Sequence, residues 1–181
     1  DHDYSLRKVF NLNRIVFFQK QWNRLLEIVS ETNKSEIRIL DYGSGWGRFL
    51  EIASAPTVNC FGYEIDRLKV DYTRDKGFTI FTEEDEIDTY SQYDLIYCNQ
   101  VLEHVPDPLN TVKAFRRWLK PNGILYISVP FNQEGLEEAR LLKQKNLPIP
   151  KDINPWEHLN YFTPRSLSMI LHDLGFLILE E

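Results

Sequence analysis

The sequence predicts a doubly wound, mostly parallel α/β sheet with helices on both faces. Three observations carry that expectation. Short apolar runs of the buried-strand kind alternate with helix-period segments between residues 37 and 129. Three glycines, Gly43, Gly45 and Gly47, follow the first run directly. A carboxylate, Glu64, stands at the end of the second run, 23 positions after Asp41 (64 − 41).

The elements follow in order. Leu6, Val9, Phe10, Phe17, Leu25, Leu26 and Val29 recur at helical spacing, so residues 5–30 read as one or two N-terminal helices. Residues 37–40, 58–63, 78–81, 93–98 and 124–129 read as strands. Residues 47–54, 66–76 and 108–119 read as the helices between them, and Gly77 closes the second. Past Pro130 the rhythm breaks. A helix over 134–146 and a stretch with Pro148, Pro150 and Pro155 form an insertion too long for a plain connection. Thr163 suits the N-cap of a further helix, Pro164 its first turn and Gly175 its end. Phe176 to Leu179 then reads as a sixth strand. The whole reads as a single domain, 1–181. It comprises a helical cap (1–35), a core (36–130), an insertion on the substrate side (131–162), and a last helix and strand (163–181).

At 181 residues, 43% apolar and 27% charged, the chain has the composition of one globular domain with a sizeable core. Its net charge of −6 and scattered basic residues argue against nucleic acid as a partner. No apolar run reaches the roughly 20 residues that span a bilayer. The start, Asp1-His-Asp-Tyr4, shows no signal peptide, which points to the cytoplasm. Without an initiator Met, the chain reads as a piece excised from a longer one. Cys60 and Cys98 lie in strand-like runs and read as core thiols in a reducing compartment.

Ligands of open α/β sheets sit at the carboxyl ends of the strands. Glycines there allow a tight turn and a close approach of backbone to ligand. A dinucleotide fingerprint needs a third glycine where Trp46 or Arg48 stands, and a phosphate loop needs Gly-Lys before Ser or Thr. Neither is met. Asp41 before the loop favours a ligand with a positive group. Glu64 suits a pair of ribose hydroxyls, with Asp66 as a rival that also fits a helix cap. Among Glu83 to Glu86, Asp85 or Glu84 suits an adenine amino group, against the alternative of a solvated acidic loop.

Four segments resemble successive motifs of the class I S-adenosylmethionine methyltransferases: Ile39 to Leu50, Gly62 to Asp66, Tyr93 to Pro108 and Leu119 to Leu125. They are most similar to the small-molecule branch that includes the ubiquinone-biosynthesis type. The resemblance implies S-adenosyl-L-methionine as cofactor. The turn Tyr42-Gly43-Ser44-Gly45, closed by Gly47, would pass under the methionine part, and Asp41 would hold its amino group. Glu64, with Ile65 beside it, would take the ribose. Asn99, Gln100 and Val101 would lie by the sulfonium. Two features depart from the family. Trp46 is bulky where the family has a small residue, and the usual antiparallel final strand is missing.

Methyl transfer from a sulfonium needs an in-line approach and, for a hydroxyl or carbon acid, a base. The segment Trp156-Glu-His-Leu-Asn-Tyr161 resembles sugar C-methyltransferases, which implies His158 as base with Glu157 as helper. His104, just beyond the fourth strand, is a second candidate. No metal-ligand spacing stands out. The expected activity is methylation of an oxygen or carbon of a small molecule. The rivals are a non-catalytic cofactor-binding module, a dehydrogenase-like nucleotide-binding domain and a macromolecular acceptor.

Overall fold

A computed structural model describes residues 12–30, 36–90, 92–131, 133–148 and 158–179. The expected helical positions Leu6, Val9 and Phe10, together with Trp156 and Glu157, lie outside the described residues. The chain divides into two compact units, Asp1–Cys98 with Arg117–Tyr126, and Asn99–Arg116 with Ile127–Glu181.

The first unit opens with α1 (Leu12–Ser30), then β1 (Ile37–Tyr42), α2 (Arg48–Ala53), β2 (Val58–Tyr63), α3 (Arg67–Asp75), β3 (Thr79–Phe81), α4 (Glu84–Tyr90) and β4 (Tyr93–Asn99). After α5 (Pro108–Trp118), most of β5 (Leu119–Ser128) returns to it. The strand order is β3-β2-β1-β4-β5. The pairs β1–β2, β1–β4 and β2–β3 are parallel. The Gln92 N–H donates to Trp118 C=O at the start of β4 and β5, and the Gln100 N–H to Ser128 C=O at their ends. Both strands therefore run the same way. Among the described residues the sheet holds no antiparallel strand, as the sequence implied. Strand order reverses between β1 and β4, and ligands of open α/β sheets bind at the carboxyl ends of the strands beside such a reversal.

Burial explains the arrangement. Helix α1 turns Trp22, Leu25 and Val29 inward at i, i+3 and i+7, against Ile37, Ile39, Phe49, Ala53, Val58, Leu95 and Tyr97. A smaller cluster, Leu50, Val70 and Ile80, joins α2 and α3 to β3. Both faces of β4 are covered, so all its residues but Asn99 are buried and its apolar run does not alternate. The buried Asp94 accepts from the Arg38 N–H at 2.9 Å and from Lys120 Nζ at 2.8 Å, tying β4 to β1 and β5. Asp66 caps α3, accepting from the Leu68 N–H at 3.0 Å. The cap is one of its two expected roles.

Helix α4 is an addition to the sequence expectation. Its acidic start, Glu84-Asp85-Glu86, reads as loop in one dimension. Carboxylates in a first turn are favoured by the helix dipole, and Glu86 closes that turn by accepting from the Thr82 and Glu83 N–H groups.

The second unit holds the turn after β4, most of α5, the end of β5, α6 (Gln133–Gln144) and α7 (Pro164–Asp173). Thr163 caps α7 reciprocally. Its hydroxyl accepts from the Ser166 N–H at 3.0 Å, and Ser166 Oγ accepts from the Thr163 N–H at 2.9 Å. Gly175 leaves the helix at φ 78°, as expected of it. Among the described residues the sixth strand does not form. Phe176 to Leu179 alternates in exposure like a strand, with Leu177 84% and Leu179 59% exposed, but it joins no ladder with any described residue. Alternation describes a side-chain pattern, whereas a strand also needs a backbone partner. Among the described residues no helix is long and apolar enough to cross a membrane.

Candidate functional site

In the first unit the tips of β1 and β2 carry the expected loop. Asp41 pairs with Gly62 across to β2 and with Tyr97 across to β4, at the reversal of strand order. The Gly43 and Ser44 N–H groups both donate to Tyr63 C=O, at 2.8 and 2.9 Å, and fold the loop over the end of β2. Gly43, Gly45 and Gly47 have φ of 82°, 54° and 72°, a left-handed run that side-chain-bearing residues resist. At Gly47 a Cβ would also meet Thr73 Cγ2 at 2.6 Å. Gly62 is required for a different reason. A Cβ there would lie 2.6 Å from Ile80 Cδ1 and 2.8 Å from Ser44 Oγ.

Three polar groups gather at these tips. Glu64 is buried, and its carboxylate accepts three backbone bonds at 2.9 Å, from Gly45 to one oxygen and from Ile65 and Asp66 to the other. Asp41 is buried, at 4% exposure. Burial, then the nearby Glu64 charge, raises its pKa well above the ordinary value. Ser44 Oγ is buried and has no hydrogen-bond partner among the described residues. An unsatisfied buried hydroxyl costs free energy unless something pairs with it, and a buried carboxylate favours a cationic group beside it.

The Asp41 pKa has a testable sign. The folded carboxyl keeps its proton to higher pH than the unfolded one. The unfolded chain therefore binds fewer protons above the ordinary value of 3.8, and stability falls as pH rises from there through the raised value. Asp41→Asn removes that slope. The ligand-free variant is expected to be more stable than the parent at neutral pH by about 1–3 kcal/mol. Thermal unfolding of both proteins across a pH series checks this; a less stable Asn variant at neutral pH contradicts it.

The remaining expected residues of this unit divide. Tyr42 stacks on Tyr63 with centroids 4.7 Å apart, and its hydroxyl donates to Glu84 Oε1 at 2.6 Å. Glu84 is thereby engaged, whereas Asp85 is exposed and its backbone C=O accepts from Thr89 Oγ1. The Tyr42–Tyr63–Glu84 group was not foreseen, since nothing local links positions 42 and 84. Trp46 packs edge-on against Tyr72 of α3 at 5.1 Å. Burial, with Asp41 near, pushes the Cys60 thiol up to about 12, which keeps it protonated and unsuited to nucleophilic attack.

In the second unit Asn99, Gln100 and Val101 begin a tight turn. Gln100 is left-handed at φ 58°, held by its N–H to Ser128 C=O at 2.7 Å and its side-chain amide to Ser128 Oγ at 3.3 Å. The His104 N–H donates to Val101 C=O at 2.9 Å. Asn160 clamps this turn. Its side-chain amide donates to Val105 C=O at 2.6 Å and Leu102 C=O at 3.3 Å, and its N–H to Glu103 C=O at 2.9 Å. His104 and His158 are thus brought together, with ring centroids 4.9 Å apart. Tyr161 lies next to His158 at 6.1 Å, its hydroxyl buried and without a hydrogen-bond partner among the described residues. The sequence reading gave no role to Glu103, which stands beside them. It is 1% exposed, and neither carboxylate oxygen has a hydrogen-bond partner among the described residues. His104 Nε2 is 3.7 Å from Glu103 Oε1. The signal for Glu103 was a carboxylate between Leu102 and His104, in a run that had to bury.

Comparison with known proteins places these geometries in context. A family profile described as a methyltransferase domain matches residues 13–181. The ubiquinone biosynthesis O-methyltransferase of Histophilus somni (strain 2336) is 28% identical over 142 residues, covering 70% of this chain and 55% of the relative. The chain thus spans little more than half of that protein. In structure it is similar to the plantazolicin methyltransferase solved with a triazolic desmethylPZN analogue and SAH. That match has TM-score 0.70 and 15% identity, covering 96% of this chain and 67% of the other. It is similar too to the magnesium protoporphyrin IX methyltransferase of Synechocystis PCC 6803 with bound SAH. Here the TM-score is 0.67 and the identity 17%, covering 97% of this chain and 84% of the other. At such identities the two structures show the fold.

Proposed function

Because this chain belongs to the methyltransferase-domain family, we propose that it transfers a methyl group from S-adenosyl-L-methionine to an oxygen or carbon of a small-molecule acceptor. One observation carries the reading. At the reversal of strand order, a left-handed glycine turn stands beside the buried Asp41, an orphan Ser44 hydroxyl and Glu64. That set complements an amino acid ammonium group and a ribose diol, and it offers no cation to a phosphate.

In this reading Asp41 meets the methionyl ammonium, and the turn Tyr42 to Gly47 lies under the methionyl chain. Glu64 accepts the ribose hydroxyls with Ile65 beside it, and Asp85 attends the adenine. Asn99, Gln100 and Val101 attend the sulfonium. His158 and His104 activate the acceptor, with Glu157 as helper. The acidic balance of the chain and the scattered basic residues favour a small metabolite over nucleic acid, met in the cytoplasm. A sulfonium already activates the methyl carbon, so the protein's task is to align the nucleophile within about 3–3.5 Å and remove its proton.

Calorimetry with S-adenosylhomocysteine and with NAD tests the reading. Saturable one-to-one binding of S-adenosylhomocysteine, with no heat from NAD, is expected. The reverse preference overturns it.

A further inference from the structure

We propose that Trp46 is a positioning residue for the cofactor. Through Tyr72, Lys76 and Glu51 it clamps the turn Gly43 to Gly47 against α2 and α3, so that cofactor affinity depends on those helices as well as on the turn. The inference rests on the cofactor reading given above.

The clamp is a closed ring of contacts within the first unit. Trp46 stands between two left-handed glycines, Gly45 and Gly47. Its ring is turned to α3, edge-on to Tyr72, with centroids 5.1 Å apart and planes at 86°. The Lys76 ammonium, just past the end of α3, lies 4.2 Å from the centre of the same Tyr72 ring. Lys76 also pairs with Glu51 of α2, and Glu51 pairs with Arg48 Nη1 at 2.8 Å. Arg48 directly follows Gly47. The path that leaves the turn at position 46 therefore returns to it at position 48. Thr73, next to Tyr72, adds a second tie, its hydroxyl donating to Gly45 C=O at 3.4 Å.

Glycine loses more conformational freedom on ordering than any other residue. A turn with three of them, left to itself, visits many forms, and a ligand must select the competent one. Affinity then falls by the fraction of time that form is populated. A clamp that keeps the form in the free protein removes that loss. The bulk of Trp46, its departure from the family's turn, is explained in this way, because the ring packs on α3. Edge-to-face aromatic pairs and cations over ring faces add to plain burial. The Lys76 and Glu51 side chains are 26% and 27% exposed, so water screens their pairing only in part. The bland alternative, a Trp that only fills a gap beside α3, predicts a loss of stability with no loss of affinity.

Hydrogen exchange and calorimetry on the 181-residue chain separate the two. Trp46→Ala and Tyr72→Ala are each expected to weaken S-adenosylhomocysteine binding about 10-fold, as a turn competent for about one-tenth of the time would. The amides of Gly43, Ser44, Gly45 and Gly47, which donate to Tyr63, Glu64 and Ser44, should exchange faster in the ligand-free variants by a similar factor. Trp46→Phe keeps an aromatic edge against Tyr72 and should restore both readings to near the parent's. The double variant Trp46→Ala/Tyr72→Ala should bind no more weakly than either single one, because both remove the same contact. Lys76→Met keeps the stem over the Tyr72 ring and removes the charge, and a smaller loss of the same kind is expected. Thermal unfolding is followed on every sample. Single variants that melt earlier yet keep the parent's affinity and exchange overturn the proposal, as do losses that multiply in the double variant. If Trp46→Ala does not fold, Lys76→Met decides, and parent-like affinity and exchange in it overturn the proposal. If the parent does not bind S-adenosylhomocysteine, the cofactor reading falls, and the exchange rates still decide whether Trp46 holds the turn.

Discussion

Glu64→Ala is expected to weaken S-adenosylhomocysteine binding about 100-fold or more. A carboxylate accepting from two ribose hydroxyls makes charge-assisted bonds of about 1.5–3 kcal/mol each, and each 1.4 kcal/mol is a factor of ten. The ligand-free structure sharpens the expectation. A carboxylate offers about four lone-pair sites, and Glu64 already uses three on the Gly45, Ile65 and Asp66 N–H groups. Two hydroxyls therefore displace at least one of these bonds. The Gly45 bond is the one to yield, because it stands alone on its oxygen, whereas the Ile65 and Asp66 bonds share the other and come from Glu64's own neighbours. Glu64→Gln should rescue little. Its amide presents donors where the backbone also donates, so one half of the carboxylate's capacity is lost. Calorimetry gives the affinity, and thermal unfolding separates the loss of loop bonds from the loss of ligand contacts. An unchanged affinity in Glu64→Ala sinks the ribose assignment.

Trp118→Ala is expected to cost about 3–5 kcal/mol of folding stability, a large share of the 5–15 kcal/mol that domains have. Trp118 ends α5, is wholly buried, and donates its indole N–H to Asp88 Oδ1 at 2.5 Å. Its ring lies 6.2 Å from that of Tyr42, next to Asp41 in β1. Truncation opens a cavity beside the residue that leads into the glycine turn, so the ligand site should loosen with the fold. Trp118→Phe keeps most of the packing and loses the N–H bond, for a cost of about 1–2 kcal/mol. Denaturant midpoints of the two variants check the difference. A Trp118→Ala protein within 1 kcal/mol of the parent, at an order-of-magnitude level, would mean the site collapses around the loss.

The parallel sheet was legible because its signals are local and repeated. Apolar runs bounded by Gly and Pro mark the strands, and α1 carries Trp22, Leu25 and Val29 on one face at helical spacing. Caps were equally legible. Asp66 and Thr163 do what such residues do before a helix, because the groups they bond lie two or three positions away. The left-handed turn followed from three glycines and needed no knowledge of neighbours. Helix α4 escaped the reading because acidic residues look the same in a solvated loop and in a first helical turn. The strand expected at Phe176 to Leu179 failed because alternation says nothing about whether a ladder partner exists.

From residue order alone came the fold class and the strand whose tip carries the loop, since periodicity, glycine conformation and capping act over a few positions; the family came from the resemblance of four segments to known motifs. Residue order could not show that Glu103 and His104 stand against His158, or that Tyr42 reaches Glu84. Those pairings join positions 55 and 42 apart (158 − 103 and 84 − 42), and they exist because the Asn160 clamp and the sheet register close the distance. Whether a polar group ends paired or stranded depends on what folding brings beside it, which is why the burial of Asp41 and the unsatisfied carboxylate of Glu103 came to light in three dimensions.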